Sequence, residues 1–174
     1  LVGSEMCIRD RARSDVTMPD SDASMRAALG REVERQQSRL VEITRALVAV
    51  PSPNPPSDTS AIAVVAEKLL REIPGAEVER IESAPRIVNL VARISGAAPG
   101  RRLIFNGHLD TFPVGEDLGW TVPPLGGTLR DGRLYGRGVS DMKGGIACSI
   151  LAADILARNR GAWAGEIVLT LAGD

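Results

Sequence analysis

Apolar residues recur at three- and four-residue spacing from about position 24 to 50, where Leu40, Ile43, Leu47 and Val48 share one stripe and predict a helix. Pro51 ends it, and PSPNPPSD at 51–58 predicts a rigid, turn-rich connector. Ser57, Asp58 and Ser60 offer N-caps to a second helix over about 59–73, with Ile62, Val65, Leu69 and Leu70 on one face. The periodicity then changes. Residues 76–81 and 86–94 predict strands, and RLIFN at 102–106 predicts a short strand with a buried apolar centre. Residues 128–129 and 133–135 flank Asp131-Gly132, a strong hairpin signal. A last helix is expected over 143–160, with Ile146, Ile150, Ala153 and Leu156 along a stripe, and a last strand over 166–171.

Helix–strand alternation with near-continuous apolar strands predicts an α/β domain with a mixed, largely parallel sheet flanked by helices; the hairpin accounts for the antiparallel part. Residues 1–24 mix charge, Ser, Asp and Pro without periodicity and are expected to be a disordered or non-native leader. Their opening, LVGSEMCIRDR, resembles a translated adapter remnant, which would put the native start at Met18 or Met25. Residues 25–174 are then the folded unit.

A length of 174 residues suits one domain with a real core. A net charge of -1 offers no basic surplus for nucleic acid and no acidic tail. With aromatics at 3%, the core must be built from Leu, Ile, Val and Ala. No apolar run reaches the about 18 residues of a membrane span, and no signal core is present, so a cytoplasmic protein without membrane or nucleic-acid partners is the expectation. Cys7 and Cys148 lie far apart outside any CxxC pattern, which argues against a disulfide framework; Cys148 is expected as a buried hydrophobe in the last helix.

Two constellations carry candidate chemistry. Gly107-His108-Leu109-Asp110 follows RLIFN directly, at a strand's carboxyl end, where open α/β sheets bind ligands. In extended chain, His108 and Asp110 point to one side, roughly 6.5–7 Å apart along the backbone. A neutral imidazole is a good zinc ligand, and a neighbouring carboxylate can fix its tautomer. His108 is also the only histidine, and a lone His beside an Asp is more commonly a plain hydrogen-bonded residue. The second constellation, GRGVSDMKGG at 136–145, joins the hairpin to the last helix. Asp141 suits either an N-cap of that helix or a carboxylate bridging two metal ions. Arg137 could pair with Asp141 or Asp110, although a solvated arginine is the expectation. The segment does not fit the G-x-x-x-x-G-K-[ST] phosphate loop.

Together LVAVPSPNPPSD at 47–58, LIFNGHLDTFPVG at 103–115, GWTVPPLGGTLRDGRLYGRGVSDMKGG at 119–145 and LTLAGD at 169–174 resemble the zinc amidohydrolase and peptidase family that includes acetylornithine deacetylase, succinyl-diaminopimelate desuccinylase, aminoacylase and glutamate-type carboxypeptidases. The resemblance implies two zinc ions, with cobalt or manganese as substitutes, that activate a water for amide hydrolysis. It implies His108 as a ligand of one zinc, Asp110 as the catalytic carboxylate that supports it, and Asp141 as the aspartate bridging both. Asp174 would precede two glutamates, a general base and a ligand, that these 174 residues do not include. The chain is thus expected to be the N-terminal part of the catalytic domain, inactive alone and without the inserted domain that covers the site and often mediates homodimer formation. The implied substrate is an N-acyl amino acid or short peptide. The alternatives are a carboxypeptidase or dipeptidase of the same family, or a non-catalytic product.

Overall fold

A computed structural model describes residues 20–115 and 119–173. Most of the expected leader, with Cys7 and Met18, and the position of Asp174 lie outside the described residues. The element order is α1 (Asp20–Arg35), α2 (Gln37–Val48), α3 (Ser60–Arg71), β1 (Glu77–Ala84), β2 (Ile87–Ser95), β3 (Arg102–His108), β4 (Thr128–Arg130), β5 (Arg133–Tyr135), α4 (Gly144–Arg158) and β6 (Glu166–Ala172). The single helix expected over 24–50 is two helices that meet at Gln36, and the first already starts at Asp20.

Four strands form one sheet in the order β1-β2-β6-β3. The pairs β1–β2 and β2–β6 are antiparallel and β3–β6 is parallel. The sheet is mixed, as expected, but among the described strands it is not largely parallel. The two-residue link at 85–86 is too short for the crossover that a parallel pair needs, so β2 must turn back along β1. The hairpin β4–β5 stands apart as its own two-stranded sheet, with Asp131 (φ 51°) and Gly132 (φ 71°) in the left-handed region that such a turn requires.

Alternate residues of β2 (Val88, Leu90, Ala92, Ile94) and β6 (Ile167, Leu169, Leu171) are buried on one face. They join Ile43 and Leu47 of α2, Ile62, Ala66 and Leu70 of α3, and Ile146, Ile150 and Ala153 of α4 in one aliphatic core. Strand β3 departs from expectation. Leu103 and Ile104 are exposed, because among the described strands β3 has a neighbour on one side only, and Ile104 lies on the face away from the helices. Cys148 is exposed as well, turned away from the Ile146–Ala147–Ile150–Leu151 stripe that α4 buries.

This packing predicts unequal costs for equal truncations. Leu169→Ala, at a fully buried position, should lower unfolding free energy by about 2–5 kcal/mol in a denaturant titration. Ile104→Ala, 57% exposed, should change it by no more than about 0.5 kcal/mol. Equal losses would contradict the assignment of the core to one face.

Candidate metal centre

The site is built where the parallel pair β3–β6 runs out. Pairing continues past the apolar centre of β3 through Gly107↔Leu171 to His108↔Ala172, and the Leu109 N–H donates to the Ala172 carbonyl at 2.7 Å. His108 is therefore held by strand geometry rather than by a loop. Gly107 lets the strand pack closely there, since a Cβ would lie 3.1 Å from Ile146 Cγ1 and 3.2 Å from Met142 Cε. Leu109, fully buried, pins the chain on the other side of the histidine.

The connector that follows α2 crosses this strand end. Pro53 and Thr111 form a β-bridge; Thr111 N–H donates to the Ser52 carbonyl at 2.8 Å and Asn54 N–H to the Thr111 carbonyl at 2.9 Å. The buried Ser52 hydroxyl donates to the Leu109 carbonyl at 2.7 Å. Segment 136–143 packs against the same strand end and connector. Gly138 has φ 77° and lies so near Thr111 that a Cβ would come within 2.4 Å of its Cγ2. Lys143 is buried and donates from Nζ to the Val50 carbonyl at 2.7 Å. Burial pushes the Lys143 ammonium down to about 8, so stability should rise as pH climbs from there toward 10.5 and the unfolded chain alone keeps its proton.

These supports bring His108, Asp110 and Asp141 together. His108 Nδ1 lies 3.0 Å from Asp110 Oδ1 and 3.1 Å from the Asp110 carbonyl oxygen. Both are acceptors, so Nδ1 carries a proton and donates it. Nε2 lies 3.0 Å from Asp141 Oδ1. In a neutral ring of that tautomer, Nε2 is a lone pair facing a carboxylate. The arrangement needs a positive centre between the two atoms, either a proton or a metal ion. Side-chain exposure is graded: 17% at Asp110, 37% at His108 and 78% at Asp141. The ring is thus anchored on its inner nitrogen and open on its outer one.

The N-cap role for Asp141 is not what the structure shows. Helix α4 begins at Gly144 without a side-chain cap, and Asp141 itself is extended (φ −136°, ψ 96°), with a cis peptide to Met142. Its carboxylate goes to His108 instead. Arg137 pairs with neither aspartate: its guanidinium lies over the Trp120 ring at 5.4 Å, and its buried Nε has no partner among the described residues. Tyr135 sits opposite Thr128 in the hairpin with Arg130 over its ring.

The donor set suits zinc in kind and spacing. An imidazole nitrogen and a carboxylate oxygen are ordinary zinc ligands, and about 3.4 Å separates two such donors around a tetrahedral ion. The observed 3.0 Å needs only a few tenths of an ångström of widening. The set is also short. Among the described residues, no three His, Cys, Asp or Glu side chains converge on a point that could hold an ion.

Residues 104–174 match the model of Peptidase family M20/M25/M40. The chain is 42% identical over 137 residues to the succinyl-diaminopimelate desuccinylase of Bradyrhizobium sp. (strain BTAi1), an alignment covering 76% of this chain and 34% of that protein. It thus spans about a third of the length of the curated relatives it matches. Human carnosine dipeptidase 1 shares its fold with a TM-score of 0.72 at 24% identity, over 82% of this chain and 33% of that one. The YXEP protein of Bacillus subtilis, described as a dinuclear metal binding peptidase from the M20 family, aligns with a TM-score of 0.54 at 18% identity, over 79% and 35%.

Partial burial lowers the His108 pKa, but the Asp141 hydrogen bond and the charge and hydrogen bonds of Asp110 outweigh it and hold the ring above its ordinary 6.5. The imidazolium's contacts therefore stabilise the fold fully below about pH 6.5, and this contribution fades as pH rises through the higher folded-state value. With one histidine in the chain, proton NMR reads the group directly. The metal-free midpoint should lie above 6.5 and fall in Asp141→Asn. A midpoint at or below 6.5 in the natural sequence would contradict this geometry.

Proposed function

The chain belongs to peptidase family M20/M25/M40, and from that footing we propose that it forms part of a metal-dependent amidohydrolase that cleaves the amide of an N-acyl amino acid, of deacetylase or desuccinylase type. The observation that carries the reading is the His108 ring, with an acceptor on each nitrogen and only one nitrogen committed to the interior. His108 Nε2 and Asp141 would hold the metal, with zinc as the first expectation and cobalt or manganese as substitutes. When bound, the ions supply Lewis acidity toward a water nucleophile and the scissile carbonyl.

The residues of this chain do the positioning. Asp110 keeps the Nδ1 proton on His108 and so presents the Nε2 lone pair outward. Asp141 uses one oxygen toward His108 and leaves a largely exposed carboxylate able to face a second ion, the arrangement that a bridging ligand needs. Support for a deacylase over a peptidase comes from the curated relatives at about 40% identity, which bear the desuccinylase name. The dipeptidase and carboxypeptidase neighbours are below 25% identical and bear on the fold alone.

The two donors that meet among the described residues fall short of the three or four protein ligands that hold a zinc ion tightly. The 174-residue chain alone is therefore expected not to turn over N-acyl amino acids. A protein of the relatives' length that contains this sequence is expected to release amine from N-succinyl or N-acetyl amino acids and to lose that activity on dialysis against a chelator. In it, Asp141→Ala should abolish paired metal occupancy by elemental analysis. Full occupancy and activity in that variant would refute the assignment, and cleavage of dipeptides in preference to N-acyl amino acids would move the reading to a peptidase.

A further inference from the structure

Asp110 has two carboxylate oxygens, and both are taken. Oδ1 accepts from His108 Nδ1 at 3.0 Å; Oδ2 accepts from Asn54 Nδ2 at 3.2 Å. Asn54 comes from the proline-rich connector, 56 positions earlier in the chain. Its own carboxamide is oriented in turn: Ser57 Oγ donates to Asn54 Oδ1 at 2.7 Å, which fixes the amide with its nitrogen toward the carboxylate. Its backbone is fixed separately, through the bridge to Thr111. A side chain pinned at both ends thus meets a carboxylate whose free rotation would otherwise release the imidazole.

We propose that Asn54 is a positioning residue of the metal centre: by holding Asp110 Oδ2 it fixes the carboxylate plane, keeps the proton on His108 Nδ1 and presents Nε2 to the ion. This rests on the metal reading above for its purpose, but the tautomer can be observed without metal. A carboxylate bound at one oxygen only can pivot about its side-chain torsion; the ring then keeps only the Asp110 carbonyl, at 3.1 Å, as an acceptor for Nδ1, and the other tautomer, whose proton on Nε2 blocks ligation, gains population. Outer partners of this kind typically change metal affinity by about 10–100-fold when removed. Because the Pro53–Thr111 bridge is made by backbone atoms, replacing the Asn54 side chain leaves the crossing of connector and strand in place.

The test is nitrogen-15 NMR of the imidazole in the metal-free chain, at a pH above the ring's titration, paired with zinc affinity by calorimetry in a protein of the relatives' length that contains this sequence. The natural sequence should show the Nδ1–H tautomer. Asn54→Leu, close in size but without a donor, should admit the Nε2–H form and weaken zinc binding by about tenfold or more. Asn54→Asp keeps the shape and turns the donor into a second carboxylate; it should have the larger effect, and it replaces the leucine variant if circular dichroism shows that one unfolded. An unchanged tautomer with unchanged zinc affinity in a folded variant overturns the proposal. A tautomer that shifts in the variant, in a protein whose natural sequence binds no zinc, upholds Asn54's role in fixing His108 and removes the metal reading instead.

Discussion

One imidazole with an acceptor on each side is the constraint around which the rest of the site is arranged. A neutral ring has a single proton to offer. The Asp110 carboxylate and carbonyl claim it at Nδ1, so the approach of Asp141 to Nε2 places a lone pair against a negative oxygen. Such a contact is stable only with a cation between the two atoms. At acid pH a proton serves, which is why the ring is held above its ordinary pKa. At neutral pH the same gap suits a divalent ion. The histidine's proton affinity and its suitability as a metal ligand have one geometric cause.

Holding those three side chains requires three distant stretches of chain to meet, and each does so through buried backbone contacts. The β3–β6 pair carries His108 to the sheet's edge, the connector at 50–54 lies across Asp110 and Thr111, and the segment at 138–143 delivers Asp141. Lys143 ties the last of these to the second, since its buried ammonium binds the Val50 carbonyl at the end of the α2 region. Such a lysine costs free energy to bury. Here it joins the aspartate's segment to the connector that secures the histidine's partner, so the spacing between Asp110 and Asp141 is set from both sides by residues 50–54.

Much of this was legible in the sequence, for identifiable reasons. The Asp131-Gly132 hairpin and the strand at 166–171 are local signals, and the structure has both. His108, Asp110 and Asp141 could be singled out by residue type and motif spacing, and the structure brings the three side chains together. What was missed is non-local. The strand expected from the apolar centre of RLIFN ended at Asn106, whereas pairing with β6 carries β3 on to His108. Apolar runs in β2 and β6 resembled strands of a parallel sheet, but β2 turns back along β1 through a two-residue link, and the antiparallel pairing of β2 with β6 joins segments about 70 residues apart; hydrophobic pattern registers neither. Cys148 was read as buried from the apolar tone of its helix, yet its angular position faces outward. Asn54 gave no signal beyond turn chemistry, because the contact that gives it meaning is 56 positions away.

The claim that His108 is a metal ligand through Nε2, with Nδ1 protonated against Asp110, is open to one direct measurement. In a protein of the relatives' length that contains this sequence, loaded with cobalt as a paramagnetic substitute, the His108 ring should give a hyperfine-shifted, solvent-exchangeable N–H resonance, assignable to Nδ1 by its coupling to nitrogen-15 and lost on replacement of His108. The absence of a shifted His108 signal, or a shifted His108 ring whose remaining proton lies on Nε2, would contradict the account.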